Sequence, residues 1–466
     1  MVRVITQDTY DEVVKENIDE FDMEPEEAMK EAIAQFEAQG VDLSLIIKDL
    51  ALTPGDKHLV AITVDKLKEL CAGETFEDEL IMKQLEVLRS ECEKDLARRI
   101  RAGKEGAYNI LIKLLEARYK MYQQDKSEKD AAFIVSVLNT LAALMDIQPD
   151  LLEIKGIDLI NSMLSSVTNE DILVPLLKWT CVCCVRHEMN RQNLFSKDMI
   201  ENIKRLLDNQ KNRKILSGTL HLVRVLTLDD DIRVEFGKAH DHSKELGAQL
   251  IEKLAALLKG NPSPSLLSEL MLTMSSLLVR NELCAMAADS VDTLLAAISD
   301  NCGAAATATQ GCRLITALAG NDDVKRRLVQ SGVAPIVVGL LNLHMSNAST
   351  AAIILKCIAA LVLREPTHSE QMFASGAPDA ILECMNSHAD NCAVQKNGCW
   401  AIRNMVARCR EQNAKFHELG AEAILNNAYG RFEKEFGFDI KAALRDLECD
   451  VKLDEQWTGK GVQMEQ

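Results

Sequence analysis

The sequence predicts an all-α protein: a right-handed helical-repeat solenoid of about eight three-helix units, preceded by an acidic helical segment. Three observations carry this. Strand signals are nearly absent, with no alternating run of Val, Ile, Thr and aromatics over five positions and no hairpin dipeptides. A phrase recurs, in which a turn residue precedes an apolar pair by several positions: Gly156 before Met163-Leu164, Asp198 before Leu206-Leu207, Gly332 before Leu340-Leu341, Gly376 before Cys384-Met385. Finally, 47% of the residues are apolar but only 4% aromatic, so the core must be built from small and aliphatic side chains that let helices approach closely.

The spacing of the phrase sets the class. Asp198 follows Gly156 by 42 residues and Gly332 follows Ser290 by 42; Ser290 follows Gly247 by 43; Gly376 and Gly420 each follow the preceding turn residue by 44. The intervals from Gly106 to Gly156 and from Asp198 to Gly247 are longer, 50 and 49, and read as loop insertions. Residues 365–408 show the parts of one unit. A short helix (369–374) ends at Gly376, a second (378–386) opens on Pro378, and a polar loop leads to a long third helix (392–408). One short and two longer helices with a glycine between the first two is the armadillo arrangement. Stacked over 91–448, such units bury faces that none could bury alone.

The ends are organised differently. Residues 8–22 are amphipathic, with Tyr10, Val13, Val14, Ile18 and Phe21 on one face. A second pattern, 25–39, carries Met29, Ile33 and Phe36; helices over 57–71 and 76–100 follow. The expected organisation is an acidic segment (1–50), a helical cap (51–90), the repeats (91–448) and a tail (449–466).

Of 466 residues, 53 are basic and 71 acidic, giving a net charge of −18. Residues 1–50 hold 14 acids against four bases, so −10 of the total lies there and the repeats are nearly balanced. An acidic surface repels phosphate backbones and anionic membranes, so direct nucleic-acid or membrane binding is not expected. No apolar run approaches the length of a membrane span, and acids precede any apolar stretch at the N-terminus, which argues against a signal peptide. Most of the 14 cysteines fall inside apolar helical patterns (Cys181, Cys183, Cys184, Cys312, Cys357, Cys399), where a thiol serves as a small hydrophobe. A cytoplasmic protein is expected, with the nucleus as a second compartment.

Four stretches resemble the armadillo repeat-containing protein 6 family: Pro25 to Ala32 running into Gln39-Gly40-Val41-Asp42-Leu43; Asp229 to Val234 with the His240-Asp241-His242 loop; Ala319 to Lys325; and Ala442 to Leu447 with Trp457-Thr458-Gly459. The resemblance spans nearly the whole chain and implies a non-enzymatic armadillo solenoid.

Trp400 and Asn404, spaced i, i+4, share one face of the last full repeat's third helix. The pair resembles the Trp and Asn with which importin-α and β-catenin-like proteins hold an extended peptide, the amide pairing with peptide backbone. No other repeat has the pair in register, which argues against a multi-site nuclear transport receptor. Arginines recur near the ends of third helices: Arg186, Arg364 and Arg408 each precede the next turn residue by 12 positions, Arg280 by 10. With Arg403 they form a sparse ladder suited to capturing carboxylates. The alternative is that these cations complement helix C-termini and the Trp and Asn pack between repeats.

The acidic segment either caps the solenoid or docks on its concave face. Arg98, Arg99, Arg101 and Lys104 form a basic cluster that reads as a solvated helix face or, alternatively, a phosphate or acidic contact. His240 and His242 lack a third ligand at metal spacing, and the Cys181–Cys184 count lacks a second pair, so no metal or cofactor is expected. Nucleotide, hydrolase and zinc-protease signatures are missing, so no catalytic residue is assigned. The expected role is a monomeric adaptor whose concave face binds an extended or acidic segment of another protein, through Trp400, Arg403, Asn404 and Arg408, extended by Arg364, Arg280 and Arg186. The competing readings are a transport-receptor-like peptide carrier and a purely structural scaffold.

Overall fold

The computed structural model describes residues 3–49, 58–72, 77–208 and 212–451. The tail expected over 449–466, with Trp457 to Gly459, lies almost wholly outside them. Twenty-five α-helices fill the described chain, and the strand content is a two-residue parallel pair, Arg3–Val4 with Val41–Asp42. The all-α helical-repeat class holds. The chain divides into two compact units, residues 1–242 and 243–466.

The repeat dissected in the sequence folds as expected. Helices Pro366–Ala374, Ala377–Ser387 and Cys392–Val406 follow one another, and Gly376 holds φ +84° at the turn. An L side chain adopts that φ at a cost, which is why glycine stands there. Third helices start on polar caps: the side chains of Asn347 and Asn391 accept hydrogen bonds from the Thr350 and Val394 amides at 3.1 Å, each worth about 1 kcal/mol.

Third helices then stack in rows. In the first unit the row is Asp78–Lys94, Glu128–Leu144, Glu170–Cys184 and Arg213–Leu226. In the second it is Pro264–Leu277, Ala305–Leu318, Ala348–Leu361, Cys392–Val406 and part of Ala421–Asp446. The rows bury Leu, Ile, Met and Cys almost completely. All the cysteines are free thiols and most are buried; burial pushes the Cys92 and Cys184 thiols up to about 12, as expected of cysteines used as packing.

Several expectations change. Gly156 and Gly247 are not turn residues. They lie inside helices Ile154–Ser166 and Ala239–Lys259, where a Cβ would collide with the side chains of Tyr108 and Leu283 respectively. Asp198 likewise sits in the first turn of Lys197–Asp208. The longer 106–156 interval reflects a long helix, Ala107–Asp125, at least as much as a loop, whereas the 198–247 interval does hold a loop, over 228–238. The helix expected over 76–100 breaks at Asp95, whose extended backbone and side chain cap a new helix, Leu96–Lys104.

The acidic segment forms helices Gln7–Asp19 and Pro25–Ala38 around a small core of Tyr10, Val14, Ala28, Ala32, Phe36, Val41, Leu43 and Ile46. Phe21 falls beyond the first helix and is 62% exposed, not on the buried face. The segment is tied to the helices that follow it: Asp11 pairs with His58 at 3.1 Å and Asp49 with Arg98. Arg98 is buried among Glu91, Asp95 and Asp49, Arg99 pairs with Asp146, and Arg101 with Glu105 at 2.9 Å. The three arginines of the basic cluster thus make acidic contacts, while Lys104 is exposed. Of the cluster's members, Arg98 joins the acidic segment, through Asp49, to the helices that follow.

Candidate functional site

Four of the arginine and asparagine positions singled out in the sequence come together. Arg364 occupies the turn after Ala348–Leu361 with φ +63°; Arg403 and Asn404 lie in the last turn of Cys392–Val406; Arg408 lies in the turn after it. They line one open cleft of about 550 Å³, together with Leu363, Ala407, Arg445 and Asp446.

Asp446 organises the cleft. It is 5% exposed, and one of its carboxylate oxygens accepts two bonds from Arg445, at 2.9 and 3.0 Å. Arg410 approaches it at 3.5 Å and Arg403 at 3.7 Å; Arg403 also reaches Asp439 at 3.5 Å. Arg364 and Arg408 are exposed and form no ion pair among the described residues. Sequence reasoning missed Arg445, Arg410 and Asp446; the Arg445-Asp446 pair at the end of the last long helix was the available signal.

Trp400 is half-buried one turn before Asn404, with the Lys396 ammonium 5.0 Å above its ring, a cation–π contact. The Asn404 amide donates to the Ala359 carbonyl at 3.0 Å, and Asn397, seven residues earlier, donates to Ala352 at 2.8 Å. Both bonds reach the third helix of the preceding repeat. The Asn404 Oδ1 keeps its acceptor capacity among the described residues.

Arg280 is not part of this cleft. It is an exposed residue opening helix Asn281–Met286, two stacked helices back along the row and so roughly 20 Å away at ordinary helix spacing. The intervening third helix ends at Ala319-Gly320, which carries no cation. Arg186 belongs to the first unit, at φ +55° in the turn after Glu170–Cys184. Its amide donates to Asp230 at 3.0 Å and its carbonyl accepts from Arg233 at 3.0 Å. Around it, Arg191 pairs with Glu188 and Asp230, and Arg233 with Asp150 and Asp231. The Arg233 guanidinium and the Glu188 and Arg233 amides hold Asp231 well below the usual carboxylate range. A second open cleft of about 660 Å³ crosses the first unit's third helices and mixes charges, Asp171 and Glu170 with Lys178, Arg213 and Lys214.

His240 and His242, expected in a loop, lie in the first turn of helix Ala239–Lys259 and do not form a pair of ligands. His242 is buried, stacked 3.9 Å from Phe195, with its Nδ1 at 3.0 Å from the Leu226 carbonyl, whereas His240 is exposed. Two groups of possible ligands come close elsewhere: His417, Glu422 and Cys449, and Glu370, Cys409 and Glu411. His417 Nε2 is already occupied by the Leu447 carbonyl at 2.8 Å. Among the described residues no helix is long and apolar enough to cross a membrane.

Rows of stacked third helices, with a surface cleft where their ends meet, define an armadillo-type helical-repeat protein. The crystal structure of an engineered protein shares the fold, with a TM-score of 0.68 over 83% of this chain and 88% of that chain at 14% identity. The family model described as ARMC6 matches residues 60–465, and that of the armadillo repeat-containing protein 6 N-terminal domain matches residues 2–66. The chain belongs to the armadillo repeat-containing protein 6 family. It is 40% identical to the Drosophila melanogaster armadillo repeat-containing protein 6 homolog over 98% of both chains. It is 33% identical to the Homo sapiens armadillo repeat-containing protein 6, covering 78% of this chain and 75% of that one.

Proposed function

We propose that this protein is a non-enzymatic adaptor that binds a segment of a partner protein on the concave face made by the third helices of its second unit. The observation that supports this is the convergence of Arg364, Arg403, Asn404 and Arg408 on one open cleft, with Trp400 one turn away. An extended segment brings unpaired backbone groups, and the Asn404 oxygen offers an acceptor for an N–H. The arginines supply charge for acidic side chains. The adaptor acts as a monomer, in the cytoplasm with the nucleus as a second compartment.

The Asn404–Ala359 bond favours a second, purely structural reading, in which the asparagine serves to tie repeats together. Proximity labelling with wild type beside a Trp400→Ala, Asn404→Ala, Arg408→Ala variant separates the two. The adaptor reading expects partners to be lost from a variant that still melts cooperatively. Identical partner sets with a lowered Tm would leave only the structural role.

A further inference from the structure

We infer that the arginine cleft receives a phosphorylated side chain of the bound segment, an inference that rests on the adaptor reading above. Four guanidiniums line the cleft, those of Arg364, Arg403, Arg408 and Arg445, and a fifth, that of Arg410, lies 3.5 Å from Asp446. Two carboxylates, Asp439 and Asp446, lie within ion-pair distance of them. Asp322, whose carboxyl is lowered in part by Arg364, adds a third carboxylate, so the local surplus is two positive charges, in a chain whose net charge is −18. Asp446 already serves Arg403, Arg410 and Arg445, whereas Arg364 and Arg408, which both line the cleft, form no ion pair among the described residues.

Like charges held this close are mutually repulsive unless an anion offsets them. A carboxylate brings one negative charge. A phosphomonoester brings about −1.5 to −2 with three acceptor oxygens, which matches the surplus and the fork geometry of several arginines. Leu363 and Ala407 line the same cleft and offer apolar contact to the carbon stem of the modified residue. The surplus is one patch rather than a stripe, and the acidity of the rest of the chain opposes polyanions and anionic bilayers. Continuity with the Trp400–Asn404 face points to a protein-borne phosphate.

The test uses the full chain and three fluorescent peptide pools of one degenerate sequence, with phosphoserine, serine or glutamate at the centre, read by anisotropy. The phosphoserine pool is expected to bind about tenfold tighter than the serine pool, with inorganic phosphate competing for the difference. Arg364→Glu with Arg408→Glu, two exposed residues outside every ion pair described, should abolish the preference while leaving Tm unchanged. Asp446→Asn should strengthen it. Equal binding of all pools, weakened by Trp400→Ala, would overturn the phosphate inference and keep the adaptor reading. A preference that survives the double arginine variant overturns the site, and binding to phosphoinositide vesicles in place of the phosphoserine pool overturns the partner class. If no pool binds, both readings fall.

Discussion

Arg186 and Arg364 occupy the same place in their repeats, an exposed left-handed turn directly after a third helix, and their surroundings differ sharply. Around Arg186 the charges close on themselves: Arg191 and Arg233 are each held by two acids, and Asp230 and Asp231 also cap backbone amides. Around Arg364 five arginines stand against three aspartates, Asp322, Asp439 and Asp446. Position in a repeat fixes where a side chain stands. The local balance of acids and bases fixes whether that side chain has anything left to offer a ligand.

The comparison is broken most severely by removing Arg191. It is 1% exposed and bonded to Glu188, Asp230 and the Cys184 carbonyl, so Arg191→Met strands buried acceptors and should cost about 3–5 kcal/mol in a denaturant titration. Arg364→Met, with no ion pair to lose, should stay within about 0.5 kcal/mol of wild type. Near-equal losses from the two would show that the networks do not differ as described.

Acid sharpens the same contrast. Asp231 and Glu188 have their pKa values lowered in the fold, Asp231 chiefly by Arg233 and Glu188 by Gln192, the Lys238 amide and Arg191 against the opposing effect of burial. A lowered carboxylate contributes stability that is fully present above its unfolded pKa, about 3.9 for Asp and 4.3 for Glu, and is lost as pH falls through the folded value. Stability should therefore fall as pH drops below about 4.5. Asp231→Asn should lower Tm at neutral pH and make Tm less steep between pH 4.5 and acid; an unchanged slope would remove Asp231 from the account. The smallest effect belongs to Arg186→Ala. Its backbone bonds to Asp230 and Arg233 persist, so stability should change by no more than about 0.5 kcal/mol, with no change in binding of the phosphoserine pool.

The repeat was legible where glycine conformation enforces it. Gly332, Gly376 and Gly420 hold φ near +80° at the expected turns, and the helices of 365–408 fall within a few residues of their expected ends. Gly156 and Gly247 misled because a glycine that admits a neighbouring side chain is spelled like one that turns the chain. At the site, arginine spacing brought Arg364 and Arg408 into register, since adjacent repeats place equal positions side by side. Arg445 and Asp446 escaped because the last long helix, Ala421–Asp446, is interrupted at Phe432 and Phe436, which ends the 44-residue count before it reaches them. Asn397 escaped because a heptad step from Asn404 marks a shared helix face without saying what that face meets.

The paired bonds of Asn397 and Asn404 have a mechanical consequence. Their acceptors, Ala352 and Ala359, stand seven residues apart on one helix, about 10.5 Å along its axis, matching the step between the donors. Two rungs of equal pitch stop one helix from sliding along, or swivelling about, the other. For the proposed adaptor, the two rungs would give a bound segment a surface of fixed gauge.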